Sequence, residues 1–265
     1  MTRYKITLEY NGNNTVGWQV QDAVDNCGNV LAPSIQGLMQ EAILRFSDRR
    51  TEIVAAGRTD AGVHALGMVA HFDLDNAEHD AGTVMRALNF YLRQIGAPVA
   101  VLDCEQVSED FHARFSCVRR NYRYIILNRR APAILDANCV WWVPRALDID
   151  AMRAASAKLI GAHDWTSFRS SECQAHSPEK TLDKVDIEIC NMAYGEDGKM
   201  QGRYVIMNFS ARSFLHHQVR NIVGTLVGIG LGKPYDMNKI FAAKSRAAAG
   251  PTAPASGLYF VSAEY

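Results

Sequence analysis

The chain has 265 residues, 48% of them hydrophobic, which is enough apolar material for one large domain or two of ordinary size. Its formal net charge is +0, from 28 basic and 28 acidic residues, so the overall charge gives no support for a polyanionic partner. The sequence shows no apolar stretch of the length of a signal peptide or a membrane span, and its 6 cysteines are widely spaced without a Cys-x-x-Cys pair. We therefore expect a cytoplasmic protein with reduced thiols and no membrane partner.

The first half of the chain has the apolar periodicity of alternating strands and helices. It predicts the order strand, helix, strand, strand, helix, strand, with Ser34 as the N-cap of the first helix. The predicted strands are 4–10, 51–56, 67–74 and 99–107, and the predicted helices are 35–46 and 81–95.

A short loop, Gly57–His64, joins the second and third predicted strands and carries Asp60 and Arg58. Strands fix the position of such a loop while the turn exposes its side chains, so this is a favoured place for reactive groups. Gly57 and Gly62 would allow a sharp bend. Asp and Gly are also common turn residues, so an ordinary Asp–Arg pair at the surface is the alternative interpretation.

The second half repeats the same order of elements. Its predicted strands are 117–128, 181–192, 203–211 and 257–265, and its predicted helices are 149–161, 213–229 and 237–244. Each half therefore matches the split βαβ, ferredoxin-like plan. The sequence predicts an α+β fold with mainly antiparallel sheet and two ferredoxin-like α/β halves, 1–108 with the Asp60 loop and 109–265, which enclose a cleft. Loops at 20–34, 129–148 and 167–178 are expected to border that cleft.

Basic and aromatic side chains are concentrated in the segment 111–135, which contains no Asp or Glu. Aromatic rings stack on unpaired bases and arginines bind phosphates, so this composition is typical of RNA binding. Tyr122, Tyr124 and Ile126 share one face of a predicted strand, so one of these rings could instead fill a core. The residues that we predict to bind RNA in this segment are Phe111, His112, Ala113, Arg114, Phe115, Arg119, Arg120 and Arg123.

The segment 213–229 predicts a helix with an apolar stripe, and Arg220 lies on another side of it, over His216 and near the N-terminus. A cation at that end of a helix requires an anion nearby, and either Asp60 or a phosphate would serve. His216 and His217 would point to different sides of a helix, so we predict structural histidines and no metal site. The sequence contains no phosphate-loop, dinucleotide-binding or nucleophile-elbow pattern.

Several motifs occur in the order found in a known family, along nearly the whole chain. They are GRTDAGVH at 57–64, FHARF at 111–115, R-x-Y-x-Y at 120–124 and FLHHQVRNIVG at 214–224. Together they resemble the tRNA pseudouridine synthase A family. The resemblance implies the pseudouridine synthase fold with a central catalytic cleft, in a homodimer without a cofactor. It also implies an isomerase that converts uridine to pseudouridine at positions 38–40, in the anticodon stem-loop of tRNA.

The resemblance also implies roles for individual residues. Asp60 would be the nucleophile, Arg58 would assist in flipping the uridine out of the stack, Tyr122 would lie against the flipped base, and Arg220 would pair with Asp60. A carboxylate suits a reaction that breaks a C–N glycosidic bond, because it can attack or stabilise the electron-poor sugar carbon while a stacked ring retains the base. Attack at the sugar and attack at the base ring both remain open. The predicted RNA-binding set also includes Glu172, Cys173, Gln174, Ala175, His176 and His216.

Two other functions are compatible with parts of the sequence. A noncatalytic tRNA-binding or tRNA-folding protein would need only the basic intervals. A carboxylate-dependent glycosidase is a weaker alternative, because no second catalytic acid accompanies Asp60 in its loop. A long loop at 21–34 and acidic residues at 73–80 depart from the family, and we expect both to alter the grip on tRNA.

Overall fold

A computed structural model describes residues 1–21, 32–75, 79–193 and 200–265. Most of the long loop at 21–34, and Glu78 of the acidic stretch, lie outside these ranges. Within them, no helix has the length and apolar character that crossing a membrane would require. The chain forms two compact units: unit 1 is Met1–Val118 with Tyr259–Tyr265, and unit 2 is Arg119–Leu258.

Unit 1 contains the Asp60 loop and has the predicted alternation of strands and helices. Its sheet has the order β4-β1-β3, and β2 pairs with β3; all of these pairings are antiparallel. This order is that of a ferredoxin-like sheet, as the sequence predicts. The elements are β1 (Thr2–Tyr10), α1 (Ile35–Ser47), β2 (Ile53–Ala55), β3 (His64–Leu74), α2 (Ala81–Gln94) and β4 (Val99–Val107).

Local sequence explains where these elements begin and which face they bury. Ser34 accepts a hydrogen bond from the Gly37 amide at 3.0 Å and so caps α1, as predicted. Asp80 caps α2 in the same way. In β1, alternate residues such as Tyr4 and Ile6 are fully buried, because a strand turns every second side chain to the same face.

The strands of unit 2 are also mainly antiparallel, in the order β5-β10-β9, and β6 is parallel to β5. A separate two-stranded ribbon pairs β7 with β8. The α+β fold class is thereby confirmed. The elements are β5 (Arg119–Asn128), β6 (Trp141–Val143), α3 (Ile149–Ala157), β7 (Gly161–Asp164), β8 (Glu179–Leu182), β9 (Lys184–Ala193), β10 (Met200–Ala211), α4 (Gln218–Gly230) and α5 (Met237–Ala243).

The last strand, β11 (Leu258–Glu264), belongs almost entirely to unit 1. It pairs in parallel with β3, where Tyr259 lies opposite His64. The chain therefore leaves unit 1 after Val118 and returns to it at Tyr259. The sequence analysis instead predicts a single boundary, after residue 108. The division into functional halves 1–108 and 109–265 stays a prediction.

Three elements of unit 2 differ from the sequence-based expectation. Helix α3 ends at Ala157, because 161–164 pair as β7. The strand predicted at 181–192 is interrupted at Asp183, between β8 and β9. Helix α4 begins only at Gln218, because His217 adopts left-handed backbone angles with φ at 61°.

Candidate active site

The Asp60 loop lies between β2 and β3, as predicted. The Val63 amide donates to the Asp60 carbonyl at 3.1 Å and closes a turn, in which Gly62 has a positive φ of 78°. Gly57 is not among the positive-φ glycines, so its expected conformational freedom is not used. Asp60 is half-buried and Arg58 is exposed. The loop thus presents a carboxylate and a guanidinium side chain from a firmly closed turn.

The connection between β1 and α1 holds this loop in place. The Trp18 amide donates to the Thr59 carbonyl at 3.0 Å, and the Tyr10 hydroxyl lies 2.8 Å from the Thr59 hydroxyl. The Gly12 amide donates to Nδ1 of His64 at 3.1 Å. Thr59 is therefore fixed through both its backbone and its side chain, immediately before Asp60. Such support from neighbouring residues is what keeps a reactive side chain in one geometry.

Gly17 makes this support possible. Its φ is +91°, and a Cβ atom at this position would lie 2.3 Å from the Thr59 carbonyl oxygen. A residue with a side chain would therefore meet both backbone strain and a steric clash. The backbone of residue 17 can lie against the Asp60 loop only because it is glycine.

Tyr122 and Tyr124 of β5, in unit 2, differ in burial, and the sequence left open which of these rings fills a core. Tyr124 is fully buried, and its hydroxyl donates to the Pro254 carbonyl at 2.7 Å; burial also raises its pKa. Tyr122 is half-buried, and its ring meets the Phe214 ring edge-on with centroids 5.0 Å apart. Tyr124 is thus the ring that fills the core. Contact of Tyr122 with a flipped base stays a prediction.

Arg220 lies in the first turn of α4, and one backbone residue fixes it from both sides. Its Nε donates to the Ala253 carbonyl at 2.8 Å, while the Ala253 amide donates to the Arg220 carbonyl at 3.1 Å. His216 precedes the helix, so the expected stacking of Arg220 over His216 along a helix is wrong. The His216 carbonyl instead accepts from the Ser170 amide at 3.0 Å.

The predicted arginines of β5 have different environments. Arg119 is exposed, and its Nε lies 3.9 Å from a carboxylate oxygen of Asp183. Arg120 is only 9% exposed and donates to the backbone carbonyl of Arg212. Its guanidinium therefore supports the chain after β10, because a buried cation needs a close acceptor. Nε of Arg123 donates to the Asn208 side chain at 3.0 Å. RNA contacts by these arginines stay predictions.

The segment 111–115 belongs to unit 1 and combines anchored and exposed residues. The Ala113 amide donates to Nδ1 of His71, and the Ala113 carbonyl accepts from the Tyr265 hydroxyl at 2.8 Å. His112 accepts through Nδ1 from the amides of Arg114 and Phe115, both at 3.2 Å.

The outer part of this segment has the properties of a base-stacking surface. Phe115 is 75% exposed, and the Arg114 guanidinium lies 5.8 Å from the centre of its ring. An exposed aromatic ring next to a cation suits an unpaired base with its phosphate. The Phe111 ring instead packs against Tyr265, with centroids 4.8 Å apart.

The loop at 172–176 also mixes exposed and half-buried positions. Glu172, Gln174 and His176 are exposed, whereas Cys173 and Ala175 are half-buried. The loop starts from Ser170, whose carbonyl accepts from the Cys173 amide at 3.1 Å. Because the Ser170 amide also binds the His216 carbonyl, this loop is tied to the chain that leads into α4.

Relatives of the chain share its whole length. A family model described as tRNA pseudouridine synthase matches residues 155–265. A protein from Rhodospirillum centenum named tRNA pseudouridine synthase A is 51% identical over an alignment of 267 positions, which covers 100% of both chains. The chain belongs to the tRNA pseudouridine synthase A family. Proteins of that name from Paramagnetospirillum magneticum and Bartonella bacilliformis are 47% and 44% identical over 100% of this chain, and over 96% and 100% of their own lengths.

Membership of the tRNA pseudouridine synthase A family confirms the resemblance read from the motifs. The roles of individual residues stay predictions. The sequence analysis assigned no role to the residues that hold the Asp60 loop, namely Tyr10, Gly17 and Trp18. The available signal was Gly17, because a glycine in a loop allows another backbone segment to approach closely.

His71 is a second residue that sequence reasoning missed. It lies on β3, is 5% exposed, and accepts the Ala113 amide at Nδ1. Burial lowers its pKa to about 4, and the charges of Arg3 and His112 contribute. Protonation of Nδ1 would also remove the acceptor that Ala113 uses. His71 is therefore neutral in the folded protein at neutral pH.

This neutral histidine predicts a loss of stability in acid. Because the unfolded chain binds a proton at His71 near pH 6.5 and the folded chain does so only near pH 4, stability is retained above pH 6.5 and declines as the pH falls. We expect the contribution of His71 to the free energy of unfolding to fall by about 1–2 kcal/mol between pH 7 and pH 5. Urea titrations at both pH values would measure this, and the His71→Gln variant should show a correspondingly smaller difference. An equal change in the free energy of unfolding between pH 7 and pH 5 in the wild type and in His71→Gln would contradict this prediction.

Proposed function

We propose that the protein isomerises uridine to pseudouridine in the anticodon stem-loop of tRNA, at positions 38–40. The observation that carries this proposal is the half-buried Asp60 on a loop fixed through Thr59, in a chain that aligns end to end with proteins named tRNA pseudouridine synthase A. The cytoplasm and a homodimeric assembly are parts of the same proposal. Light scattering would test the assembly, and a monomeric mass would contradict it.

In the proposed reaction, Asp60 is the nucleophile. The bond between N1 of uracil and C1′ of the ribose breaks, a bond between C5 and C1′ forms, the proton on C5 passes to solvent, and N1 takes up a proton. The reaction is therefore an isomerisation, without oxidation or reduction. The detached base must be retained while it turns, and this is the role we assign to the ring of Tyr122.

Two arginines complete the proposed arrangement. Arg58, exposed beside Asp60 on the same loop, can occupy the space left by the extruded nucleotide. Arg220, fixed by Ala253 through its Nε, supplies a positive charge that favours the ionised form of a carboxylate or binds a phosphate. Its pairing with Asp60 stays a prediction. Neither role requires Arg58 or Arg220 to transfer a proton.

A noncatalytic tRNA-binding protein is the second candidate function. The observation that favours it is the exposed pair Phe115 and Arg114, which suits RNA binding and does not require Asp60. Both candidates predict tRNA affinity. Only the enzyme predicts a change in the RNA, so product analysis separates them.

The purified protein should release tritium from tRNA transcripts labelled at C5 of uracil. We expect release to approach one equivalent for each uridine at positions 38–40, and a transcript with cytidine at these positions should release none. Nucleoside analysis by mass spectrometry should find pseudouridine in equal amount. Binding without release would favour the noncatalytic candidate, and free uracil would favour a glycosidase.

A further inference from the structure

Arg246, Asn221 and Thr252, here called the Arg246 network, form a connected group of side chains within unit 2. None of the roles proposed above uses them. Nη2 of Arg246 donates to the Asn221 side-chain oxygen at 3.0 Å and to the Thr252 hydroxyl at 3.1 Å. The Thr252 hydroxyl also donates to the same Asn221 oxygen at 2.7 Å. The three side chains therefore hold one another in a closed triangle of hydrogen bonds.

Asn221 ties this triangle to the core. It is fully buried, and it follows Arg220 directly in α4. Its side-chain nitrogen donates to the Phe168 carbonyl at 2.8 Å, so both ends of the amide have partners. A buried amide with this set of bonds has one orientation, because turning it would break all of them.

Arg246 also hydrogen-bonds to the backbone of the segment 250–253. Its Nη1 donates to the Gly250 carbonyl at 2.8 Å. The three acceptors that Arg246 contacts, a carbonyl, an amide oxygen and a hydroxyl, are all neutral. A half-buried guanidinium with several fixed acceptors of this kind serves to position a segment of chain.

The segment 250–253 lies directly against the backbone of α4. A Cβ atom on Gly224 would lie 1.7 Å from the Pro251 carbonyl oxygen, so no other residue would allow this approach. The Gly250 amide donates to the Thr225 hydroxyl at 2.9 Å, and this hydroxyl donates to the Asn221 carbonyl at 2.8 Å. The segment is thereby seated on the helix turn that follows Arg220.

Ala253, at the end of this segment, sets the direction of Arg220. The Ala253 carbonyl accepts from Nε of Arg220 at 2.8 Å, and the Ala253 residue is 1% exposed. A guanidinium is planar, so a hydrogen bond to Nε fixes the direction in which both Nη atoms point. A displacement of Ala253 would therefore be transmitted to the charged end of Arg220.

We propose that Arg246 is a positioning residue for Arg220. It holds the segment 250–253 against α4, and so keeps the Ala253 carbonyl where it aims the Arg220 guanidinium. This inference rests on the proposed role of Arg220 and extends it to a residue that contacts neither substrate nor Asp60 in the proposed mechanism. Small errors in the aim of a charged group lower the rate of the chemical step more than they lower affinity.

The Arg246→Gln variant tests this proposal through a split between rate and affinity. We expect the single-turnover rate of pseudouridine formation to fall by about 10- to 30-fold, while the Kd for tRNA changes by less than about twofold. Arg153→Gln is the matched control. Arg153 lies on α3 of the same unit and also donates to a backbone carbonyl, that of Ile187, at 3.3 and 3.1 Å. The Arg153→Gln variant should keep the wild-type rate even if it loses as much stability as Arg246→Gln.

Combination with Arg220→Lys shows whether Arg246 acts through Arg220. If it does, Arg246→Gln should lower the rate by less than about twofold in the Arg220→Lys background, because the group that it aims is already impaired. The Arg220→Lys single variant tests the proposed role of Arg220 on its own. A wild-type rate there would refute that role, and the positioning role with it. A normal effect of Arg220→Lys with no effect of Arg246→Gln would refute the positioning role alone.

Two further outcomes would overturn the inference. Equal rate losses in both backgrounds would mean that Arg246 acts independently of Arg220. A weaker Kd with an unchanged rate and a salt dependence reduced by about one charge would make Arg246 a phosphate contact. If Arg246→Gln does not fold, Thr252→Val removes the exposed hydroxyl that links Arg246 to Asn221. It should lower the rate by about three- to fivefold at unchanged Kd, and a wild-type rate there would also overturn the inference.

Discussion

Replacement of Asp60 by asparagine is expected to lower the rate of pseudouridine formation by at least about a thousand-fold, because the amide has nearly the same shape but cannot act as an anionic nucleophile. The Kd for tRNA should change by less than about threefold, since the backbone carbonyl and the hydroxyl of Thr59 hold the loop. Single-turnover assays with excess enzyme would measure the rate, and filter binding would measure the affinity.

Two additional variants make this result specific. Asp60→Glu keeps the charge but moves the carboxylate outward by one methylene, and such a misplacement should cost about a hundred-fold in rate. Asp103→Asn changes an exposed acid on β4 and should keep the wild-type rate. Undiminished tritium release by Asp60→Asn would remove the basis of the proposed mechanism.

Replacement of Gly17 by alanine is expected to destabilise the protein by about 3 kcal/mol or more and to lower the rate by about a hundred-fold. The loss of stability has two causes, since the positive φ strains any residue other than glycine and the new Cβ would lie 2.3 Å from the Thr59 carbonyl oxygen. The loss of rate follows because the Asp60 loop must move to relieve the clash. Urea titration and single-turnover assays would measure the two effects.

Gly96 offers a matched control for Gly17. It also has a positive φ, of +65°, but nothing lies within 4 Å of where its Cβ would be. Gly96→Ala should therefore show the strain alone, about 1 kcal/mol, and the wild-type rate. If both variants lose the same stability and keep the same rate, the contact between residue 17 and the Asp60 loop is not important for function.

The sequence predicts well those elements that local patterns define. Alternating apolar residues define β1, and Ser34 defines the start of α1, because both signals act within a few neighbouring residues. The start of α4 is different. The apolar pattern continues across residues 213–217, but the Gln218 side chain accepts the Leu215 amide at 2.8 Å and His217 turns left-handed, so the helix begins later. The periodicity of apolar residues cannot predict a hydrogen bond such as the one between the Leu215 amide and the Gln218 side chain.

The candidate site shows the same division between local and long-range information. The flanking strand patterns predict the Asp60 loop, because the loop is short. They do not decide which of Tyr122 and Tyr124 enters the core, since both lie on the same face of β5 and only the packing around Pro254 distinguishes them. The approach of Gly17 to Thr59 and the hydrogen bond from Arg246 to Asn221 both join segments that are far apart in the sequence, and no local pattern identifies such contacts.

The position of β11 has a consequence for biosynthesis. Tyr259 stacks on His64 with centroids 4.8 Å apart, so the end of the Asp60 loop is covered by residues translated almost 200 positions later. Unit 1 cannot reach its final form until residues 259–265 have left the ribosome, although residues 1–118 emerge long before. The first residues of β3, which pair with β11 in the folded protein, therefore wait for that partner strand throughout the synthesis of unit 2.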